Sequence, residues 1–218
     1  MRVGITTREL DDIGRDLFRR YGARSAPRVF RSFPGTLCIS VNDEAVHGVP
    51  GLRPLMPGDV LKIDATPLVD NYVADAAITL VVGEGNGTKH RLADSARRAL
   101  DAGIAAARAK QETRDIGRAI ELYVKRDGFK VLREVGGHGV GHSMHETPHV
   151  PNWDDPVARD VLHEGLVVAI EPIIAVDDEW LVEGADGWTL RTRNGSLAAH
   201  AEHTVVVTAG EPIVLTAA

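Results

Sequence analysis

Residues 59–82 read DVLKIDATPLVDNYVADAAITLVV. Two apolar, β-branched runs, 59–66 and 72–82, flank Asp70-Asn71. That pair tolerates the positive φ angles of a two-residue hairpin turn. The turn sets the register, so that Val69 faces Tyr72 and Thr66 faces Asp75. Asp64 then shares a face with Asp75, on the diagonal. Diagonal partners lie about 7–8 Å apart, within reach of shared metal ions. The stretch predicts antiparallel sheet carrying two acids on one face.

Further along, residues 166–174 (LVVAIEPII) and 199–208 (AHAEHTVVVT) repeat the theme, with Glu171 and Glu202 set in apolar strands. Residues 37–42 and 213–216 complete the predicted strands. Acids in such surroundings are rarely buried unless they are paired or hold a metal. Four converging carboxylates with one divalent ion would keep a charge of about −2, and two ions would neutralise them. A bridging hydroxide then fits, as in two-metal hydrolases with ions roughly 3.5–4 Å apart. An oxygen-rich site with one imidazole suits Mn, Fe, Co or Zn.

Three helices are predicted between the strands. Residues 6–21 place Leu10, Ile13, Leu17 and Tyr21 on one face, with Thr6 or Thr7 as cap and Gly22 as stop. Residues 88–108 carry the stripe Leu92, Ala96, Leu100, Ile104, and residues 113–127 turn Ile116, Ile120, Tyr123 and Val124 inward. The first and third helices look like copies: Thr7-Arg8-Glu9-Leu10 matches Thr113-Arg114-Asp115-Ile116, and Gly22 matches Gly128 at the same offset. A loop rich in His, Gly and Pro follows each. This points to two related halves. Helices alternating with hairpins, without a strict βαβ repeat, make the fold α+β with a largely antiparallel sheet.

Residues 145–149 read HETPH, formally the H-E-x-x-H of helical zinc proteases. That site needs both histidines on one helix face. Pro148 lacks the N–H a helix requires and pushes Thr147 away from helical angles. Glycines at 136, 137, 139 and 141 argue for loop or strand upstream. The match is rejected.

Composition narrows the class. The chain has 218 residues, 44% of them apolar, enough for one sizeable core, and it is expected to form a single domain over 1–218. A formal net charge of −6 argues against a nucleic-acid surface. No apolar run approaches the roughly 18 residues of a membrane span. The acidic first residues lack a signal peptide's apolar stretch, and Cys38 is the only cysteine. A cytoplasmic monomer is expected.

Taken in order, IDAT and AD (Asp64, Asp75), GGHGVG (His138), MHETP (His145), AIEP (Glu171), DGWT (Trp188) and AEHT (Glu202) resemble the type I methionine aminopeptidases. LCISVNDEAVHGVP, from Cys38 to Pro50, strengthens the likeness, which runs from about residue 4 to the end. The resemblance implies the pita-bread fold, with two pseudo-symmetric halves, and removal of N-terminal methionine from peptides and nascent chains. It implies that His138, Asp75, Glu171 and Glu202 hold one divalent ion and Asp64, Asp75 and Glu202 the other. His145 would bond the scissile carbonyl or its oxyanion, His47 would contact the amide being cut, and Glu171 would also move protons. The side-chain pocket would map to Phe30, Phe33, Cys38, Met144 and Trp188, an apolar lining with sulfur that suits a thioether. His142 and His149 match no ligand and read as loop residues, and His203 alternates to the face opposite Glu202.

The chain also departs from the family. It begins almost at the GITT segment, where the family usually has a preceding helix. Phe30 and Phe33 stand where Tyr is frequent, Val46 where Cys is, and Ala76-Ala77 where Thr-Ser is common. The rivals are an Xaa-Pro peptidase of the same fold and a non-catalytic binding protein on this scaffold.

Overall fold

The computed structural model describes residues 2–217. Its main feature is an antiparallel eight-stranded sheet. The strands are β1 (Cys38–Val41), β2 (Val60–Ala65), β3 (Ala76–Val81), β4 (Gly137–Gly139), β5 (Glu146–Val150), β6 (Val167–Ile170), β7 (Glu202–Val206) and β8 (Ile213–Val214). Their order is β5-β4-β6-β7-β3-β2-β1, with β8 paired to β7. Strands of the first half of the chain thus lie on one side and those of the second half on the other, meeting at β7 and β3.

The hairpin register is the expected one. Val69 pairs with Tyr72 and Asp64 with Ala77. Asp70 and Asn71 have φ of 48° and 66°, as a two-residue turn of this kind requires. The strands are not continuous, however. At Thr66 the chain leaves the large sheet for a small one built from Arg24–Ser25, Pro67–Val69 and Tyr72–Val73. The predicted strand 166–174 is likewise split: β6 ends before Glu171-Pro172, and Ile173–Ala175 joins another small sheet with Lys130–Val131 and Ala198–His200. Pro67 and Pro172 lack the N–H that a central ladder uses, which accounts for breaks at those points. A third small sheet pairs Glu44–Val46, Leu181–Glu183 and Leu190–Thr192.

Four helices are described: α1 (Thr7–Arg20), α2 (Ala26–Arg31), α3 (Gly87–Ala106) and α4 (Thr113–Arg126). Leu92, Ala96 and Leu100 of α3 and Ile116, Ile120 and Val124 of α4 pack on Val168, Ile170 and Val205 of the sheet. Leu10 of α1 packs on Ile39, Val41 and Leu61. The likeness of α1 and α4 extends to structure. Both begin with a capping box and a buried threonine, Thr7 and Thr113, and Gly22 and Gly128 both have positive φ after the last turn. The fold is α+β, with two related halves around a largely antiparallel sheet.

One reading is corrected. On α1, Ile13, Leu17 and Tyr21 are exposed, at 51%, 47% and 72%. The buried face is Thr7, Leu10, Asp11 and Gly14. The Thr7 hydroxyl bonds both N–H and C=O of Gly51, and one oxygen of Asp11 accepts from the N–H of Thr36 and Leu37 at 2.6 and 2.8 Å. Hydrogen bonds therefore compensate for polar burial on that face.

Candidate metal centre

The sheet-switching points converge. Asp64 is the next-to-last residue of β2, Asp75 immediately precedes β3, Glu171 follows β6, and Glu202 opens β7. All four reach one cavity of about 230 Å³, together with His138 from β4. Strand β4 brings its histidine in by virtue of its glycines. A Cβ on Gly137 would stand 2.2 Å from the Ala169 carbonyl oxygen, and one on Gly139 would stand 2.3 Å from that of Thr147. Only glycines let β4 lie this close to β6 and β5.

Donor atoms of Asp75, His138 and Glu202 lie within 4.8 Å of one another, and so do those of Asp64, His200 and Glu202. Glu202 belongs to both groups. Glu171 stands between two imidazoles, its Oε1 3.4 Å from His138 Nε2 and its Oε2 3.6 Å from His200 Nε2. Neighbours fix the acids. Thr66 donates to Asp75 Oδ1 at 2.9 Å, and the Asp75 N–H donates to the Thr204 hydroxyl at 2.7 Å. With alanines at 76 and 77, support for Asp75 comes from across the hairpin and across the seam. His138 Nδ1 sits 2.9 Å from the Gly139 carbonyl oxygen. A carbonyl only accepts, so Nδ1 carries the proton and Nε2 faces Glu171 bare.

Among the described residues no Lys or Arg forms an ion pair with Asp64, Asp75, Glu171 or Glu202. Burial pushes the Asp64 carboxyl up to about 6. Burial and then the Asp64 charge hold Asp75 and Glu171 well above the carboxylate range, and burial with repulsion from Asp75 does the same to Glu202. Burial lowers His138 to about 4, so its imidazole is neutral at pH 7. Sheltered carboxyls beside a bare imidazole nitrogen, with no Lys or Arg paired to them among the described residues, form a donor set that divalent ions satisfy. The buried Nε2 of His200 also lacks any hydrogen-bond partner.

The other expected residues mostly gather at the same cavity. His47 and His145 line it beside the acids, and Phe33, Cys38, Met144 and Trp188 close its apolar end. The Phe33 and Trp188 rings meet edge to face at 5.3 Å. His145 stacks edge-on against His138 at 4.3 Å. Burial lowers His47 to about 4, with a smaller contribution from His145, and burial and then Arg31 lower His145. Phe30 is corrected: it is 43% exposed and absent from the cavity wall, because α2 turns Pro27 and Arg31 toward the cavity instead. His149 lies in β5 rather than in a loop, and lines an adjoining cavity of about 320 Å³. His203 lies outside both, with Nδ1 2.7 Å from the Thr216 hydroxyl. HETPH is bend and strand, not helix.

The sequence reading missed His200, Thr66 and Thr204. His200 was legible, since it precedes Glu202 by two residues and the alternation that sends His203 away brings His200 in.

The sequence profile of metallopeptidase family M24 matches residues 1–209. The chain is 40% identical to methionine aminopeptidase 2 of Bacillus subtilis over 98% of its own length and 86% of that protein. It superposes on the crystal structure of methionine aminopeptidase from Thermotoga maritima with a TM-score of 0.96 at 32% identity, covering 99% of this chain and 87% of the other. The prolidase from Pyrococcus furiosus, at 22% identity and a TM-score of 0.77, covers all of this chain but 57% of its own, and shares the fold.

Proposed function

This chain belongs to metallopeptidase family M24, among its methionine aminopeptidases, and on that premise we propose that it hydrolyses the first peptide bond of substrates beginning with methionine. The observation that carries the proposal is Glu202, which offers its carboxylate to two separate donor groups at the end of an apolar cavity. Asp64, Asp75, His138, Glu171 and Glu202 would hold two divalent ions, from among Mn, Fe, Co and Zn. Bound there, such ions supply a Lewis acid for the carbonyl and lower the pKa of a water to near neutrality.

The chain's own groups do the rest. The substrate's free α-amine would bind at the loaded centre on the Asp64 side, which would limit cleavage to the first residue. At about 230 Å³ the cavity is smaller than the roughly 300–1,000 Å³ of drug-sized sites, and suits one side chain. Phe33, Cys38, Met144 and Trp188 present carbon and sulfur to a thioether. Glu171 faces the cavity from between His138 and His200, where its carboxylate would take a proton and return it to the leaving amine. His145, neutral at pH 7, donates an N–H to the developing oxyanion, and His47 contacts the amide. No described helix is long and apolar enough to cross a membrane. The single buried thiol is in keeping with a reducing, cytoplasmic setting.

The test is a peptide panel run with added divalent metal. Met-Ala-Ser and Met-Gly-Ser should lose methionine rapidly, whereas Xaa-Pro dipeptides should not be cut. Turnover of Xaa-Pro with Met-Ala-Ser left intact would reverse the assignment.

A further inference from the structure

None of the roles above uses His200. Its side chain is 2% exposed, at the end of the strand Ala198–His200 and on the same side as Glu202. Three other histidines have hydrogen-bond partners: His138 bonds the Gly139 carbonyl, His142 that of Asn71, and His203 the Thr216 hydroxyl. His200 Nε2 is buried and has none. A buried polar nitrogen left this way carries a full desolvation cost. It stands 3.6 Å from Glu171 Oε2 and 3.6 Å from Glu202 Oε2. Both separations are too long for a hydrogen bond. They are close to the roughly 3.4 Å between two donors on a tetrahedral ion with bonds of about 2.1 Å. A donor atom of Asp64 completes the group within 4.8 Å.

We propose that His200 is a second imidazole ligand of the metal centre, sharing an ion with Asp64 and Glu202. The inference rests on the metal-centre reading above and adds to it. It gives each ion one imidazole, His138 for one and His200 for the other, in place of an all-oxygen second site. A nitrogen ligand there shifts that site's preference from Mn toward Co and Zn.

The rival is a positioning role, in which His200 donates a hydrogen bond to a carboxylate and touches no ion. Anomalous diffraction from crystals of the full chain loaded with cobalt(II) separates the two. The expected result is an ion about 2.0–2.3 Å from His200 Nε2. Ions held by the acids and His138 with His200 Nε2 more than about 3 Å away would overturn this inference and leave the metal centre standing. No ion in the cavity would overturn both. In solution, calorimetry with cobalt(II) should show one of two binding events weakened at least tenfold in His200→Gln, and the other weakened in His138→Gln. Unchanged binding in His200→Gln, with the protein still folded by circular dichroism, would contradict the proposal.

Discussion

At the scale of single residues, the site is a balance between burial and charge. Asp75 is 6% exposed and Glu202 2%, and neither has a side-chain cation beside it. With Asp64 up at about 6 and the other three acids held higher than usual, the metal-free site keeps protons that ions must displace. His138, already neutral above about 4, adds none. Metal binding at pH 6 should therefore release protons, and affinity should fall as the pH drops from 7 to 5. Calorimetry in two buffers of different ionisation enthalpy measures the release, and zero release at pH 6 would contradict this account. His145 makes no short contact with the acids, so His145→Ala should retain metal and lose about 10²–10³ in kcat, the usual cost of one oxyanion donor. Full activity in that variant would remove the role. Asp64, Asp75, Glu171 and Glu202 were legible because acids stand out in apolar strands. Phe30 was placed in the pocket by the resemblance alone; helix α2, whose start Ser25 and Pro27 signal, leaves it exposed instead.

At the scale of elements, the hairpin was read correctly down to its register, since a period of two and a two-residue turn leave no freedom. The strand breaks at Ala74-Asp75, Glu171-Pro172 and Ala201 were not read, because apolar residues continue on both sides of each break. Those breaks matter most for the site, as they turn the carboxylates inward where the chain changes sheets. On α1 the apolar stripe pointed the wrong way because Thr7 and Asp11, satisfied by hydrogen bonds, are the buried partners of Leu10. Strand β4 is the element most sensitive to substitution. Gly137→Ala should push β4 off β6, cost about 1–3 kcal/mol of stability and weaken metal binding by displacing His138. Gly87→Ala is the control, since a Cβ there meets nothing within 4 Å and its φ is not positive. Thermal melts with and without manganese read both effects, and wild-type metal affinity in Gly137→Ala would show that β4 packing does not set the ligand.

At the scale of the molecule, the centre joins the two halves. Asp64 and Asp75 come from the first half, and His138, Glu171 and Glu202 from the second. They meet beside the seam where Glu202 pairs with Ala77. The likeness of α1 and α4 and the strand pattern made two halves around one largely antiparallel sheet legible in the sequence, but not which strands meet at the seam. The central claim is that the cluster works only when loaded with divalent ions. It is tested most directly by titrating manganese or cobalt into chelator-treated protein while following bound ion and Met-Ala-Ser hydrolysis together. Activity should be absent without metal and rise in step with occupancy of the acidic centre. Hydrolysis that persists in the stripped protein, or ions that fill the centre without restoring it, would contradict the account.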